Sequence, residues 1–423
     1  MPAKNLGALA PKFRNRWEPP DLSGGNRSYS SLGFSPGATR GVLAVSSNPL
    51  VQLQRYGQSV WLDQISRSLL TTGGLNRLID EDGLRGMTSN PTIFQKAIGK
   101  GEDYAEEIKQ LVHSGGSVSD VYEAVVVKDI GAAADILRPV YDSLGGSDGF
   151  VSLEVSPLLA NDTQATIKQA KDLWSRLNRP NVMIKVPATP AGLPAIEELI
   201  AAGLNINVTL IFAVEVYEQV AQAYLRGLER RVSAGQPIDR IASVASFFVS
   251  RIDTAVDKQL EDFASKTNDT ARKQKLESLM GKAAIANAKI AYESFQKIFS
   301  SDRGNRLVQK GAKVQRPLWA STSTKNPKYR DTLYVEELIG PDTVNTVPMN
   351  TLDDFRDHGV VRPTLQSGLE DAHQVFADLK DVGIDMKAVT QKLTEEGVSS
   401  FAKSFSDLIE VIKGRTEELR RAA

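Results

Sequence analysis

The sequence predicts a (β/α)8 barrel with additional helices, preceded by an N-terminal extension. Three observations lead there. Eight short stretches of strand character recur between Ser59 and Val347, most of them separated by charged, amphipathic helical segments; strands alternating with helices make a parallel sheet. A chain of 423 residues exceeds a minimal barrel of ~250 residues and fits one enlarged by insertions. No G-x-G-x-x-G follows a strand and no G-x-x-x-x-G-K-[ST] occurs, so the nucleotide-binding open sheets lack their fingerprint here.

Taken in order, residues 1–47 are rich in Gly, Ser, Pro and Asn, without hydrophobic periodicity. They read as a disordered extension. Being Ser-rich and acid-poor, the segment also fits a plastid or mitochondrial targeting peptide; a plain flexible tail or a misassigned start codon is the simpler reading. The barrel domain then covers 48–423. Its strands are expected at Ser59–Asp63, Leu84–Asn90, Phe150–Ser156, Val182–Pro187, Asn205–Ile211, Ile241–Val249, Pro317–Ser323 and Thr343–Val347. Helices are expected at Val118–Tyr141, Thr163–Leu177, Glu215–Arg231, one long segment Arg251–Phe299, and then Gly368–Leu379 and Gly397–Arg421.

Composition narrows the chemistry. With 41% apolar and 24% charged residues the chain has material for a core, and no apolar run nears the ~18 residues of a membrane helix. There is no Cys, which removes disulfides, thiolate metal sites and a Cys nucleophile and fits a reducing, cytoplasmic setting. His113, His358 and His373 stand far apart, in no ligand spacing, so no metal is expected and none of the three is given a role. Basic and acidic residues balance at 51 each, which gives nucleic acid no global attraction.

Successive strand residues face opposite sides of a sheet. In four strands an aliphatic stripe opposes a polar one: Val151, Leu153 and Val155 against Ser152, Glu154 and Ser156; Val182, Ile184 and Val186 against Met183 and Lys185; Ile206, Val208 and Leu210 against Asn205, Asn207 and Thr209; Val60 and Leu62 against Ser59, Trp61 and Asp63. An antiparallel sheet with one wet face gives the same alternation, but the long helical connections disfavour it. In a closed barrel the polar side is interior, and buried Lys, Glu and Asp are costly unless paired or functional. Near the C-terminal strand ends they belong to the active-site mouth. Desolvation favours the neutral form of a strand-buried lysine, and a neutral amine attacks a carbonyl to form a Schiff base. Glu154 and Asp63 supply carboxylates for proton transfer. Asn90, Asn207, Thr88 and Thr209 suit a polyhydroxylated substrate, although Asn90-Pro91 also reads as an ordinary turn and Asn207 and Thr209 as partners of one another. Arg251 after the sixth strand and Lys325 after the seventh stand where barrels bind phosphate. The inventory points to lysine-dependent aldol chemistry on a sugar phosphate. Trp61, Trp319 and Phe248 read as packing.

Five stretches then resemble the transaldolase family in its long bacterial and plant-like branch: Met87-Thr88-Ser89-Asn90-Pro91-Thr92, Ser152-Leu153-Glu154-Val155, Ile184-Lys185-Val186-Pro187-Ala188-Thr189, Ile206-Asn207-Val208-Thr209-Leu210 and Trp319-Ala320-Ser321-Thr322. Each is short; their order and spacing carry the resemblance, from about Asn48 onward. It implies a TIM barrel without metal or organic cofactor. The implied reaction is transfer of a dihydroxyacetone unit from sedoheptulose 7-phosphate to glyceraldehyde 3-phosphate in the pentose phosphate pathway. By the same resemblance Lys185 forms the Schiff base and Asp63 takes the hydroxyl proton during cleavage. Glu154 shuttles protons through a water held by Thr209. Asn90 and Asn207, supported by Thr88 and Ser246, bind the dihydroxyacetone hydroxyls; Arg251 and Ser321 meet the phosphate. Many transaldolases carry a second phosphate-binding Arg two residues past the Ser matching Ser321. Here Ser323 stands there, with Lys325 as the candidate replacement, a point charge in place of a fork.

Two alternatives stay open. A fructose-6-phosphate aldolase shares barrel and lysine but releases free dihydroxyacetone; that branch typically has Gln at the Glu154 position and Tyr at the Phe248 position. A barrel that binds sugar phosphates without turnover would be expected to have lost the Lys, Glu or Asp. The expected partners are sugar phosphates, with neither nucleic acid nor membrane, and a homo-oligomer is left open.

Overall fold

A computed structural model describes residues 48–422 except Gly101; the expected N-terminal extension lies outside the described residues. Eight strands close into a barrel in chain order: β1 Gln58–Leu62, β2 Gly86–Thr88, β3 Phe150–Glu154, β4 Val182–Pro187, β5 Ile206–Ile211, β6 Ser243–Phe248, β7 Arg316–Ala320 and β8 Thr343–Val347. Every neighbouring pair is parallel, including β1 with β8. The antiparallel reading is therefore wrong, because each connection is long enough to return over the barrel's outside.

The strand alternation follows the closed geometry. Val60, Leu62, Val151, Leu153, Val182, Ile184, Val186, Ile206 and Val208 are fully or almost fully buried. The N-terminal end of the barrel is plugged by a polar knot. Asp148 accepts from Ser59 Oγ and from Trp61 Nε1, the latter at 2.7 Å, and pairs with Arg316 at 3.3 Å. Arg316 also donates to Ser59 Oγ and to the Thr343 carbonyl, both at 2.6 Å. Paired and bonded in this way, a buried charge is tolerated. Trp61 fills the space beneath β2, where a Cβ on Gly86 would come within 2.5 Å of its ring. Trp61 and Trp319 are fully buried, and Trp319 meets Phe247 edge-on at 6.1 Å.

The expected strands run past the observed ends mainly at their C-termini: Ser89 and Asn90, Val155 and Ser156, and Ser321 to Ser323 lie beyond them, although the Val155 N–H still donates to the Lys185 carbonyl at 3.1 Å. Ser321 directly follows β7 with a left-handed φ of 55°, a conformation that a non-glycine residue adopts at a cost.

Two helical expectations need correction. The single segment Arg251–Phe299 is three helices, Ser250–Lys266, Thr270–Leu279 and Ala283–Phe299. Thr267 is extended, Asp269 caps the second helix through the Ala271 and Arg272 N–H groups, and Gly281 turns into the third with φ 71°. The last helix starts eleven residues before Gly397, at Met386, and runs to Ala422. Asp385 Oδ1 accepts from the Lys387 and Ala388 N–H groups at 2.9 and 3.1 Å, a helix-start cap. Gly397 lies inside that helix because a Cβ there would meet Leu210 at 2.9 Å; the helix crosses close over β5. Among the described residues no helix is long and apolar enough to cross a membrane.

Candidate functional site

Side chains from the C-terminal strand ends converge on a cleft of about 310 Å3 lined by Asp63, Thr88, Asn90, Lys185, Thr209, Ser246, Phe248, Arg251, Ser321 and Lys325, among others. Register explains the convergence. Glu154 pairs with Lys185 and Lys185 with Asn207 across adjacent strands, so three polar side chains lie in one layer. Lys185 is 4% exposed and Glu154 7%.

Lys185 Nζ stands 3.4 Å from Glu154 Oε2 and donates to the Ser89 carbonyl at 3.2 Å. Phe401, from the last helix, brings its ring centre to 5.8 Å from the same nitrogen. Burial pushes the Glu154 carboxyl up to about 7, although the charge of Lys185 opposes the shift. Asp63 follows β1 directly. Burial raises its pKa, against the pull of Lys185 and a 2.6 Å hydrogen bond from Thr88 Oγ1. The Thr88 hydroxyl also lies 2.7 Å from that of Thr346 on β8.

Asn207 donates to Ser152 Oγ at 3.0 Å and accepts from Ser246 Oγ at 2.7 Å. The alternative in which it bonds Thr209 is not found: Thr209 Oγ1 is buried without a partner, and Glu154 Oε2 makes no hydrogen bond. Asn90 Oδ1 accepts from the Ile93 N–H at 3.0 Å, so Asn90 does cap the helix Pro91–Lys100 as a turn residue would, and it lines the cleft as well.

The outer end of the cleft is cationic. Arg251 is the second residue of Ser250–Lys266, and its guanidinium lies 5.4 Å from the Phe248 ring centre. A cation at a helix N-terminus opposes the helix dipole; the same dipole and cation together attract an anion. Ser321 Oγ is 3.0 Å from Ser250 Oγ, and the Ser250 N–H donates to the Ser321 carbonyl at 3.0 Å. Lys325 Nζ donates to Ser323 Oγ at 2.6 Å. The lysine thus reaches the position where an arginine was absent.

The loop bearing Lys325 is tied to the helix bearing Arg251 by two tyrosines. Tyr329 donates to Asp257 at 2.6 Å and Tyr334 to Asp253 at 2.9 Å. The other oxygens of these carboxylates accept from the Gly281 and Ala284 N–H groups at 2.9 and 2.7 Å. Burial pushes Asp253 up to about 7, outweighing the Ala284 and Tyr334 hydrogen bonds, which lower it. Its folded pKa exceeds its reference value of 3.8, so its contribution to stability is complete below about pH 4 and is lost as pH rises toward 7. Asp253→Asn removes this dependence. The melting temperature of the variant relative to the parent is expected to climb between pH 5 and 8, by the equivalent of on the order of a few kcal/mol. A difference in melting temperature that stays flat over that range would refute the assignment.

Sequence reasoning missed Lys96, Thr346 and Phe401, all of which line the cleft. Thr346 had a readable signal, lying on a strand already identified. Lys96 and Phe401 sit on helices whose facing depends on where those helices pack. The three histidines lie outside the cleft: His113 contacts the Lys109 carbonyl, His358 bridges Asp331 and Asp357, and His373 meets Glu293. Among the described residues no cluster of His, Asp and Glu converges as a metal site.

The sequence pattern of the Transaldolase/Fructose-6-phosphate aldolase family matches residues 60–412. A protein named Transaldolase from a Parafrankia species is 50% identical over 378 residues, covering 89% of this chain and 100% of the relative. Transaldolase 2 of a Nostoc species is 47% identical over 375 residues, 88% of this chain and 98% of the relative. A Transaldolase of Mycobacterium marinum is 46% identical over 379 residues, 89% and 100% of the two chains. Family pattern and relatives span the barrel and most of its C-terminal helix, and the chain belongs to the transaldolase/fructose-6-phosphate aldolase family of enzymes.

Proposed function

We propose that the protein is a transaldolase that moves a dihydroxyacetone unit from sedoheptulose 7-phosphate to glyceraldehyde 3-phosphate through a Schiff base on Lys185. The observation that carries this reading is the buried Lys185 amine, 3.4 Å from the Glu154 carboxylate at the floor of a polar cleft. The amine adds to the ketose carbonyl, and loss of water gives an iminium. Glu154, poised to titrate near 7, gives and takes the protons of addition and dehydration, since a group with its pKa near ambient pH serves as both acid and base. Glu154 Oε2, ion-paired with Lys185 but without a hydrogen bond, and Thr209 Oγ1, without any partner, offer two acceptors for the water through which those protons pass.

Cleavage follows. The bond between C3 and C4 breaks, its electrons flow into the iminium to leave an enamine on Lys185, and the C4 hydroxyl proton goes to Asp63. The aldose phosphate departs. The enamine attacks the acceptor aldehyde, Asp63 returns the proton to the new alkoxide, and hydrolysis of the iminium frees the lysine. Asn90 and Asn207 hold the hydroxyls of the retained unit, with Asn207 oriented by Ser152 and Ser246 and Thr88 orienting Asp63. Arg251, Ser321 and Lys325 take the phosphate. These steps use side chains that line the cleft together with Glu154 and Asn207, which flank Lys185 in the strand layer. The expected partners are therefore sugar phosphates, and the proposed setting is the pentose phosphate pathway in the cytoplasm.

Incubation with fructose 6-phosphate tests the reading in the reverse direction. Multiple-turnover formation of glyceraldehyde 3-phosphate is expected only when erythrose 4-phosphate is present. Sustained release without acceptor would make the protein an aldolase. A folded sample releasing nothing, with no borohydride-trapped adduct at Lys185, would favour a binding barrel.

A further inference from the structure

The outer cleft draws positive charge from three separate elements. Arg251 comes from the helix after β6, Lys325 from the loop after β7 and Lys96 from the helix Pro91–Lys100 after β2. Lys96 belongs to none of the motifs, yet it lines the same cleft as Lys185, Arg251 and Ser321. Its head group is exposed, and its charge reaches Lys325: burial, Arg251 and Lys96, in that order, lower the pKa of Lys325. Among the described residues none of the three cations forms an ion pair with a carboxylate. Many exposed lysines elsewhere in the chain do, as Lys128 does with Glu107 at 2.9 Å, Lys266 with Asp262 at 2.6 Å and Lys403 with Asp407 at 2.9 Å. Asp63 lines the same cleft and acts on Lys325, and Glu396 acts on Arg251, but neither carboxylate forms an ion pair with these cations; the three like charges therefore still repel one another, and an anion entering between them relieves that repulsion.

We propose that Lys96 is a third phosphate-binding cation of this cleft, beside Arg251 and Lys325, closing on the terminal phosphate of the aldehyde acceptor from the β2 side of the mouth. The proposal rests on the transaldolase reading for its substrate and on the three-cation cluster for the site itself. It also accounts for Ser323. An arginine fork fixes a phosphate in one place, whereas lysines on flexible stems follow it. With the ketose carbonyl fixed at Lys185, a seven-carbon donor carries its phosphate one carbon farther out than a six-carbon donor. Two mobile point charges beside one guanidinium suit both lengths.

Lys96→Gln removes the charge at an exposed position, with Lys96→Arg as the conservative control. Two readouts are needed. Calorimetric titration with inorganic phosphate requires no turnover; its affinity is expected to fall about three- to tenfold in Lys96→Gln and to recover in Lys96→Arg. KM for erythrose 4-phosphate is expected to rise by a similar factor, with no comparable rise for unphosphorylated glyceraldehyde and kcat little changed. Unaltered phosphate affinity in Lys96→Gln overturns the proposal even if the parent protein is a transaldolase. Equal rises in KM for phosphorylated and unphosphorylated acceptors overturn it as well. A parent protein without transaldolase activity whose phosphate affinity still depends on Lys96 would keep the anion site and discard the sugar-transfer reading.

Discussion

Lys185→Ala is expected to lower turnover by on the order of 10^4-fold or more while the barrel still folds. The loss is large because, among the described residues, Lys185 alone pairs with Glu154. Folding survives for a reason that is also visible in the site. Removing the amine leaves Glu154 buried without its cation, and a stranded buried carboxylate is ordinarily severe. The Glu154 carboxyl already sits near 7 by burial, and without the opposing lysine it moves further up and becomes a neutral acid at working pH. Circular dichroism and thermal melting should match the parent closely, borohydride should trap no substrate, and assays should show only residual rate. A variant with parental turnover would remove the Schiff base from the proposal.

Arg251→Ala is the second large effect. A charged hydrogen bond to a phosphate contributes about 1.5–3 kcal/mol, so KM for fructose 6-phosphate should rise roughly ten- to a hundredfold. KM for unphosphorylated fructose should change far less. The substitution should not harm the helix, because Arg251 stands near the N-terminus of Ser250–Lys266, where its charge works against the dipole. Equal effects on both donors would mean that Arg251 supports the cleft without touching the phosphate.

Much of this was legible in the chain because a strand carries its own compass. In β3, β4 and β5 the alternation of aliphatic and polar residues tells which side chains face the barrel interior, and register then sets Glu154, Lys185 and Asn207 side by side. β8 gave a weaker signal, since Asn345 and Thr346 are adjacent polar residues on opposite faces. Helices were harder. The helical pattern runs unbroken through Thr267 and Gly281, and the breaks there are set by partners far away, such as Asp257 accepting from the Gly281 N–H. Gly397 reads as a boundary in sequence but works as a contact with Leu210. Lys96 and Phe401 enter the cleft only because their helices lie across its mouth, and no local pattern records that.

The last helix has a consequence for how the enzyme comes into being. Phe401 stands over the Lys185 amine, and its helix is held against the one after β2 by Thr92 donating to Ser404 at 2.8 Å and by Arg415 donating to the Gly99 carbonyl at 3.3 Å. During synthesis all eight strands leave the ribosome before this wall does. Until it does, Lys185 lacks the Phe401 ring beside it, so the proposed site is complete only once the last helix has docked. Removal of the chain from Met386 onward would take away Phe401 together with Leu393, Leu408 and Ile412, which are buried in the core.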